Sequence, residues 1–286
     1  MYKLLKIYYT LSYLKWCIKF IFDILTDKDC RTLISENKQI RNRFIGRTCF
    51  VIGNGPSIIN MDLSSIRDID KFTVNSLYKN KSLFCNLKPN YHTLVDPYFA
   101  KLPENEFADL INSIRDDNPN VVFVVSFEIF KKIKRLKLDV RAIGLYMHDN
   151  WYRHFGKKVD LSRMVFGAEN VVHAAVYTAM YLGYKEIILI GCELTGIYES
   201  FEYNSNKRLI NCHAYEDNAD EVIKNLTSND NCEMLEEYAR TFRCFRFIKE
   251  YAEKSGVKII NATVGGILDV FPKVEFTNIK VYDKYK

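Results

Sequence analysis

His213 stands in Asn211-Cys-His-Ala-Tyr-Glu-Asp217, inside a polar stretch with tyrosine and carboxylates beside it. An imidazole titrates near neutral pH, so it can take a proton from a substrate hydroxyl. His213 is the best general-base candidate of the chain. The other four histidines read as structural or exposed: His92 in a strand-like run, His148 and His154 flanking a Trp/Tyr-rich segment, and His173 mid-helix. A second set of residues closes successive apolar runs: Asn54, Asn75, Asp96 before Pro97, and Glu193. In open α/β sheets, ligands bind beyond the carboxyl ends of strands. Each such residue alone is commonly a cap or turn residue. Their recurrence at one strand end after another is what points to a site.

The first of these ends is the richest. The run Cys49-Phe-Val-Ile52 breaks at once into Gly53-Asn54-Gly55-Pro56-Ser57. Glycine lets the backbone take positive φ and approach a ligand closely. Pro56 suits a first helical turn, and Asn54 or Ser57 can cap or donate. The pattern is neither G-x-G-x-x-G nor a Walker P-loop. It reads either as a nucleotide-binding turn or as a tight strand-to-turn connection with no ligand. Arg163 precedes Met-Val-Phe-Gly167 and a helical pattern. A cation near a helix N-terminus opposes the macrodipole, which hints at an anionic partner.

Composition narrows the classes. The eight cysteines form no C-x-x-C pair and no Cys/His set of zinc spacing, so a reducing cytosolic compartment and no metal site are expected. The net charge of +6 is modest for 286 residues. The dense cluster Lys131-Lys-Ile-Lys-Arg-Leu-Lys137 lacks interleaved aromatics, so it reads as a solvated helix face and no nucleic-acid partner is expected.

The elements that must position these residues alternate along the chain. Strands are predicted at 48–53, 71–75, 91–95, 120–126, 140–145, 186–191 and 257–261, and helices at 104–116, 127–135, 168–182 and 232–255. Short apolar runs separated by helical patterns imply an α/β fold, a mostly parallel sheet with helices on both faces. Residues 48–286 read as one catalytic domain. Residues 196–231, polar, without periodicity and holding Tyr198 and Tyr203, read as a lid. Residues 26–47 are polar and basic and read as a linker helix. Residues 1–25 are apolar and aromatic, with lysines at 3, 6, 15 and 19. They make neither a good signal peptide nor a good spanning helix. They read as an amphipathic interfacial helix on an anionic cytoplasmic leaflet. The other reading packs this helix on the domain or at a dimer interface, which would make the protein a homo-oligomer.

Phe50-Val-Ile-Gly-Asn-Gly-Pro-Ser57 with Asp62-Leu63, Val74-Asn75, Arg163-x-x-x-Gly167, Tyr181-Leu-Gly-Tyr-Lys-Glu-Ile-Ile-Leu-Ile-Gly191 and a later polar loop with His213 together resemble the bacterial sialyltransferases of lipooligosaccharide synthesis. The order and spacing agree over most of residues 48–270. The same outline is shared by a broader group that includes 6-hydroxymethylpterin diphosphokinase-like proteins and motility accessory factors. Asp96-Pro97 and the His-x-Tyr of 213–215 lean toward that group.

The sialyltransferase resemblance implies a Rossmann-like fold, a CMP-sugar donor, a glycan or glycolipid acceptor and an inverting transfer without a metal cofactor. Gly53, Asn54, Gly55, Ser57 and Asn75 would hold the CMP moiety, with Asp96, Gly167 and Glu193 around it. Arg163 would lie near donor or acceptor. His213 would be the base, and Tyr198 or Tyr203 would support the leaving phosphate. Val165 and Phe166 stand where those enzymes carry small hydroxyl residues, and Asp96 where they carry Asn. The expected location is the cytoplasmic face of the bacterial cell membrane, held peripherally. Two other functions are open. One is a diphosphokinase-like enzyme using ATP and Mg²⁺, with Asp96 and Glu193 as metal-binding carboxylates. The other is a non-catalytic accessory protein for glycosylation.

Overall fold

The computed structural model describes residues 2–148, 159–216, 219, 222–223 and 230–279, with side chains from residue 7 onward. His154 and much of the second half of the lid lie outside the described residues. In chain order the helices are α1 (Tyr2–Thr26), α2 (Lys28–Ile40), α3 (Lys81–Leu87), α4 (Pro97–Lys101), α5 (Glu104–Asp117), α6 (Phe127–Arg135), α7 (Val171–Leu182), α8 (Gly196–Asn206) and α9 (Asn231–Lys254). The strands are β1 (Thr48–Ile52), β2 (Asp70–Val74), β3 (Tyr91–Leu94), β4 (Val122–Ser126), β5 (Arg141–Leu145), β6 (Met147–His148), β7 (Val165–Phe166), β8 (Glu186–Ile190) and β9 (Lys258–Asn261).

Seven described strands form one sheet in the order β5-β4-β3-β2-β1-β8-β9. Every neighbouring pair in it is parallel. Successive strand residues point to opposite faces. Cys49 and Val51 enter one core, and Phe50 and Ile52 enter another. Both faces are covered, which is why these strands read as continuous apolar runs rather than as alternation. α7 buries nearly its whole surface against the first face. α9 adds Thr241, Cys244, Phe245, Ile248 and Ala252, at three- and four-residue spacing. On the second face Phe107, Ile111 and Ile114 of α5 meet Ile129, Phe130 and Ile133 of α6.

α2 is more than a connection. It buries Cys30, Leu33 and Asn37, and the Asn37 amide donates to the carbonyls of Gly144 (2.8 Å) and Leu161 (2.6 Å). A Cβ on Gly144 would stand 2.4 Å from Leu33. The segment expected as a linker is therefore part of the folded body. α1 lays Trp16, Phe20 and Ile24 against the same core. No described helix is long and apolar enough to cross a membrane.

Chain order runs outward from β1 through β2, β3, β4 and β5, then returns to the other side of β1 with β8 and β9. The switch point lies between β1 and β8. In doubly wound sheets a crevice opens there, outside the carboxyl ends of the strands.

Candidate active site

The turns that follow β1 and β8 are fastened to each other. Gly53 N–H donates to the Ile190 carbonyl and Gly55 N–H to the Gly191 carbonyl, both at 2.8 Å. Ser57 N–H donates to Glu193 Oε1 at 2.8 Å. Glycine is required by this contact: a Cβ on Gly53 would stand 2.2 Å from the Gly191 carbonyl oxygen, and one on Gly55 1.4 Å from Glu193 Oε2. The glycines expected to let a ligand approach thus serve first to let the two turns approach. The N–H groups of residues 53, 55 and 57 are committed within the chain, and Pro56 has none.

Glu193 is held from several sides. Cys192 N–H donates to Thr263 Oγ1 at 3.0 Å, and Ile267 N–H donates to the Glu193 carbonyl at 2.8 Å. Gly266 takes φ +76°, with its missing Cβ pointing at the Glu193 backbone. Glu193 is 5% exposed, and its Oε2 has no hydrogen-bond partner. Burial, reinforced by this neighbouring carboxylate, pushes the Cys192 thiol well up, so it serves as a small apolar group.

Three more oxygens around the crevice are buried without partners: Asn54 Oδ1, Ser57 Oγ and Asn75 Oδ1. Thr93 Oγ1, near the end of β3, is a fourth. Asn75 takes φ +40°, a left-handed backbone that asparagine tolerates better than most residues. Buried polar atoms are nearly always paired, so a group of orphans at adjacent strand ends marks a place where a ligand supplies the donors.

The segment after α8 reaches this crevice. Ala214 N–H donates to the Asn54 carbonyl at 2.7 Å, and the Asn80 amide donates to the Ala214 carbonyl at 2.8 Å. His213 is thereby held beside the glycine turn, stacked on Tyr215 with 4.9 Å between ring centroids. The Lys79 ammonium lies over the Tyr215 ring. The structure thus brings together Gly53, Asn54, Gly55, Ser57, Glu193 and His213, with Asn75 opening the turn that leads to Asn80.

The remaining candidates make other contacts. Asp96 is exposed and caps α4, its Oδ1 accepting from Tyr98 N–H at 2.8 Å. Arg163 lines a groove against α1 and α2 and faces Asp160, with its side chain 78% exposed. Gly167 accepts from the Cys244 thiol, just ahead of α7. Tyr198 and Tyr203 ride on α8, directly after Glu193; Tyr198 is half exposed, and Lys207 lies over the Tyr203 ring. His173 is structural, as expected, closing a capping box with Asn170. Burial pushes His92 and His173 down to about 3 and His148 down to about 4, so all three are neutral in the fold. Sequence reasoning missed Thr93, Thr263, Gly266 and the pinning role of Asn80. The pair Gly265-Gly266, just past the last strand, was the available signal for one of them.

Fold and crevice together define a doubly wound α/β protein with a polar, acceptor-rich site at its switch point. The chain belongs to the MptE-like family, described as 6-hydroxymethylpterin diphosphokinase MptE-like, whose model matches residues 26–199. Among solved structures it is similar to the sialyltransferase CstII from Campylobacter jejuni, solved in complex with a substrate analogue, cytidine-5'-monophosphate. That similarity has 17% identity and a TM-score of 0.47, over 80% of this chain and 85% of the other. No curated protein matches the chain.

Proposed function

We propose that this protein is a nucleotide-dependent glycosyltransferase that moves an acidic sugar from a CMP-linked donor to a glycan or glycolipid acceptor. The observation that carries this reading is the group of unpartnered buried oxygens on Asn54, Ser57, Asn75 and Glu193. The two amide oxygens and the carboxylate accept, and the Ser57 hydroxyl can accept or donate, so their complement is mainly a set of donors, such as the hydroxyls of a ribose and the exocyclic amine of a base. A triphosphate needs donors and cations instead. Three N–H groups of the glycine turn are already spent within the chain, so the turn suits a nucleoside better than a phosphate chain.

In this reaction the acceptor hydroxyl oxygen attacks the anomeric carbon as the bond from that carbon to the CMP phosphate oxygen breaks. The acceptor proton passes to the imidazole of His213, and CMP leaves with the bonding electrons. Configuration at the anomeric carbon inverts. A tyrosine hydroxyl from Tyr198 or Tyr203 supports the charge growing on the phosphate. α1, apolar on the side away from the body, would lay the enzyme on an anionic membrane surface where lipid-linked acceptors reside.

A second reading is favoured by the family match itself: pyrophosphoryl transfer from ATP to a hydroxymethylpterin. There Glu193 Oε2 fits one oxygen of a Mg²⁺ shell, while Asp96 is already engaged as an exposed helix cap. The test incubates the protein with a CMP-linked acidic sugar and a galactoside acceptor in EDTA, and in parallel with ATP, Mg²⁺ and 6-hydroxymethylpterin. CMP release that depends on acceptor is the expected result. AMP release with pterin alone would replace the first reading by the second.

A further inference from the structure

A groove runs between α1, α2 and the 160–164 loop, with a cavity volume of about 840 Å³. That falls in the range of small-molecule sites, roughly 300–1,000 Å³. Phe20, Ile21 and Ile24 of α1, with Ile34 and Met164, supply apolar walls. Lys38, Arg41 and Arg163 supply three cations against the single carboxylate of Asp160. Asp160 gathers the two guanidiniums: Arg41 lies at 3.8 Å and Arg163 at 3.9 Å from its Oδ2. Its other oxygen accepts from the Ser162 backbone and hydroxyl at 3.0 and 2.7 Å. Both arginines remain largely exposed, so each keeps donors for a further anion.

The groove opens onto a second apolar surface. Ile7, Leu11, Leu14, Ile18, Ile21 and Leu25 form a stripe along α1, each 49–73% exposed. Tyr8 and Phe22 widen it. Ile21 belongs to both the stripe and the groove wall. With Tyr8 and Phe22 the stripe presents several hundred Å², on the order of the largest patches seen on monomers or above. A monomeric soluble protein rarely leaves so large a contiguous patch open.

We propose that this groove binds one anionic amphiphile, its chain against Phe20, Ile24, Ile34 and Met164 and its headgroup between Arg41 and Arg163. Lysine and arginine in such a setting keep their charges at the headgroup level while their stems cover apolar surface. The net positive rim matches the anionic leaflet, and the shared Ile21 lets a chain pass sideways from a bilayer into the groove. The site is separate from the strand-end crevice and independent of which donor binds there. It rests on the membrane-facing reading of α1 only for access.

The test titrates the whole protein with dodecyl phosphate below its micellar concentration, with inorganic phosphate and dodecyl maltoside as controls. Saturable one-to-one binding at least about tenfold tighter than either control is expected. Arg41→Glu should weaken it about tenfold or more, and the milder Arg41→Gln should weaken it less. Sedimentation with phosphatidylglycerol and phosphatidylcholine vesicles then separates groove from stripe. Leu14→Ser with Ile18→Ser should lose vesicle binding while keeping dodecyl phosphate. Equal binding of inorganic phosphate, or no effect of Arg41→Glu, would overturn the proposal. So would a dimer by light scattering that Ile18→Glu dissociates and lipid does not, because a second copy would then cover α1.

Discussion

At the amino end of the sheet, Asp70 receives a 2.6 Å hydrogen bond from the Tyr184 hydroxyl, and the buried Lys71 ammonium donates to the carbonyls of Ile66, Arg67 and Ile69. Asn118 donates to the Pro89 carbonyl at 2.7 Å. At the carboxyl end, Asn54, Ser57, Asn75 and Glu193 each bury an oxygen that nothing in the fold satisfies. Both ends belong to one parallel sheet. Leaving a buried acceptor unpaired costs about 1–3 kcal/mol. The amino end avoids that cost; the carboxyl end accepts it several times over within one crevice. Such local violations of an otherwise consistent structure concentrate where a ligand is expected.

Four changes would break or sharpen the contrast. The largest effect is expected from His213→Ala, which should lower transfer by about 10²–10⁴-fold while nucleotide binding stays intact. Initial rates beside a binding isotherm check this; an unchanged rate removes His213 from the mechanism. Glu193→Ala deletes both the orphan oxygen and the acceptor for Ser57 N–H. Nucleotide affinity should drop about 10- to 100-fold, the worth of a charged hydrogen bond, as read by calorimetry. Gly53→Ala drives a methyl into the Gly191 carbonyl, and overpacking of this kind costs about 1–3 kcal/mol. Denaturant midpoints should show that loss together with a weakened nucleotide response. Tyr184→Phe, at the opposite end, should cost about 1 kcal/mol of stability and leave nucleotide affinity unchanged. A parallel loss of affinity there would mean that the two ends are not independent.

Acid sets the two ends against the middle of the molecule. His92, His148 and His173 are held neutral by burial, at about 3, 4 and 3, against about 6.5 in the unfolded chain. Below 6.5 the unfolded chain takes up protons that the folded chain refuses. Stability is therefore whole above 6.5 and declines by about 1.4 kcal/mol per pH unit for each of the three as pH falls toward 4. Urea titrations at pH 7.5 and 5.5 should show the decline, and Tyr184→Phe should not alter its slope.

Much of this arrangement was legible in the residues. All seven predicted strands form, within two residues at each end, because runs such as Glu186-Ile-Ile-Leu-Ile190 are apolar on both faces and bounded by turns. Helix 127–135 was read at its true limits, Ser126 capping it through Ile129 N–H. The start of α7 moved from 168 to 171, because Asn170 and His173 make a capping box that apolar periodicity does not reveal. α8 was missed: Gly196–Asn206 is polar and weakly periodic, and it lies inside the stretch taken as a lid. The strand-end rule singled out Asn54, Asn75 and Glu193, whose side chains each bury an unpartnered oxygen. It could not show that the Gly53 and Gly55 amides are spent on β8's turn, because that depends on the pairing of β1 with the distant β8, Thr48 with Glu186 through Ile52 with Ile190. It also grouped Asp96 with the crevice, where Asp96 caps a helix, and the resemblance set Arg163 near donor or acceptor, where it faces a groove along α1.

The central claim, that the orphaned oxygens at the switch point are a nucleoside site, is tested most directly by thermal shift. The intact protein would be compared with Asn75→Gly, each with CMP in EDTA and with ATP in Mg²⁺. Ligand at about 100 times its Kd should add about 2.7 kcal/mol of stability. CMP should stabilise the intact protein regardless of EDTA. Asn75→Gly, which relieves a positive φ and removes one orphan, should be no less stable alone and should lose most of the CMP response. Stabilisation by ATP and Mg²⁺ only, or a CMP response that Asn75→Gly leaves whole, would contradict the claim.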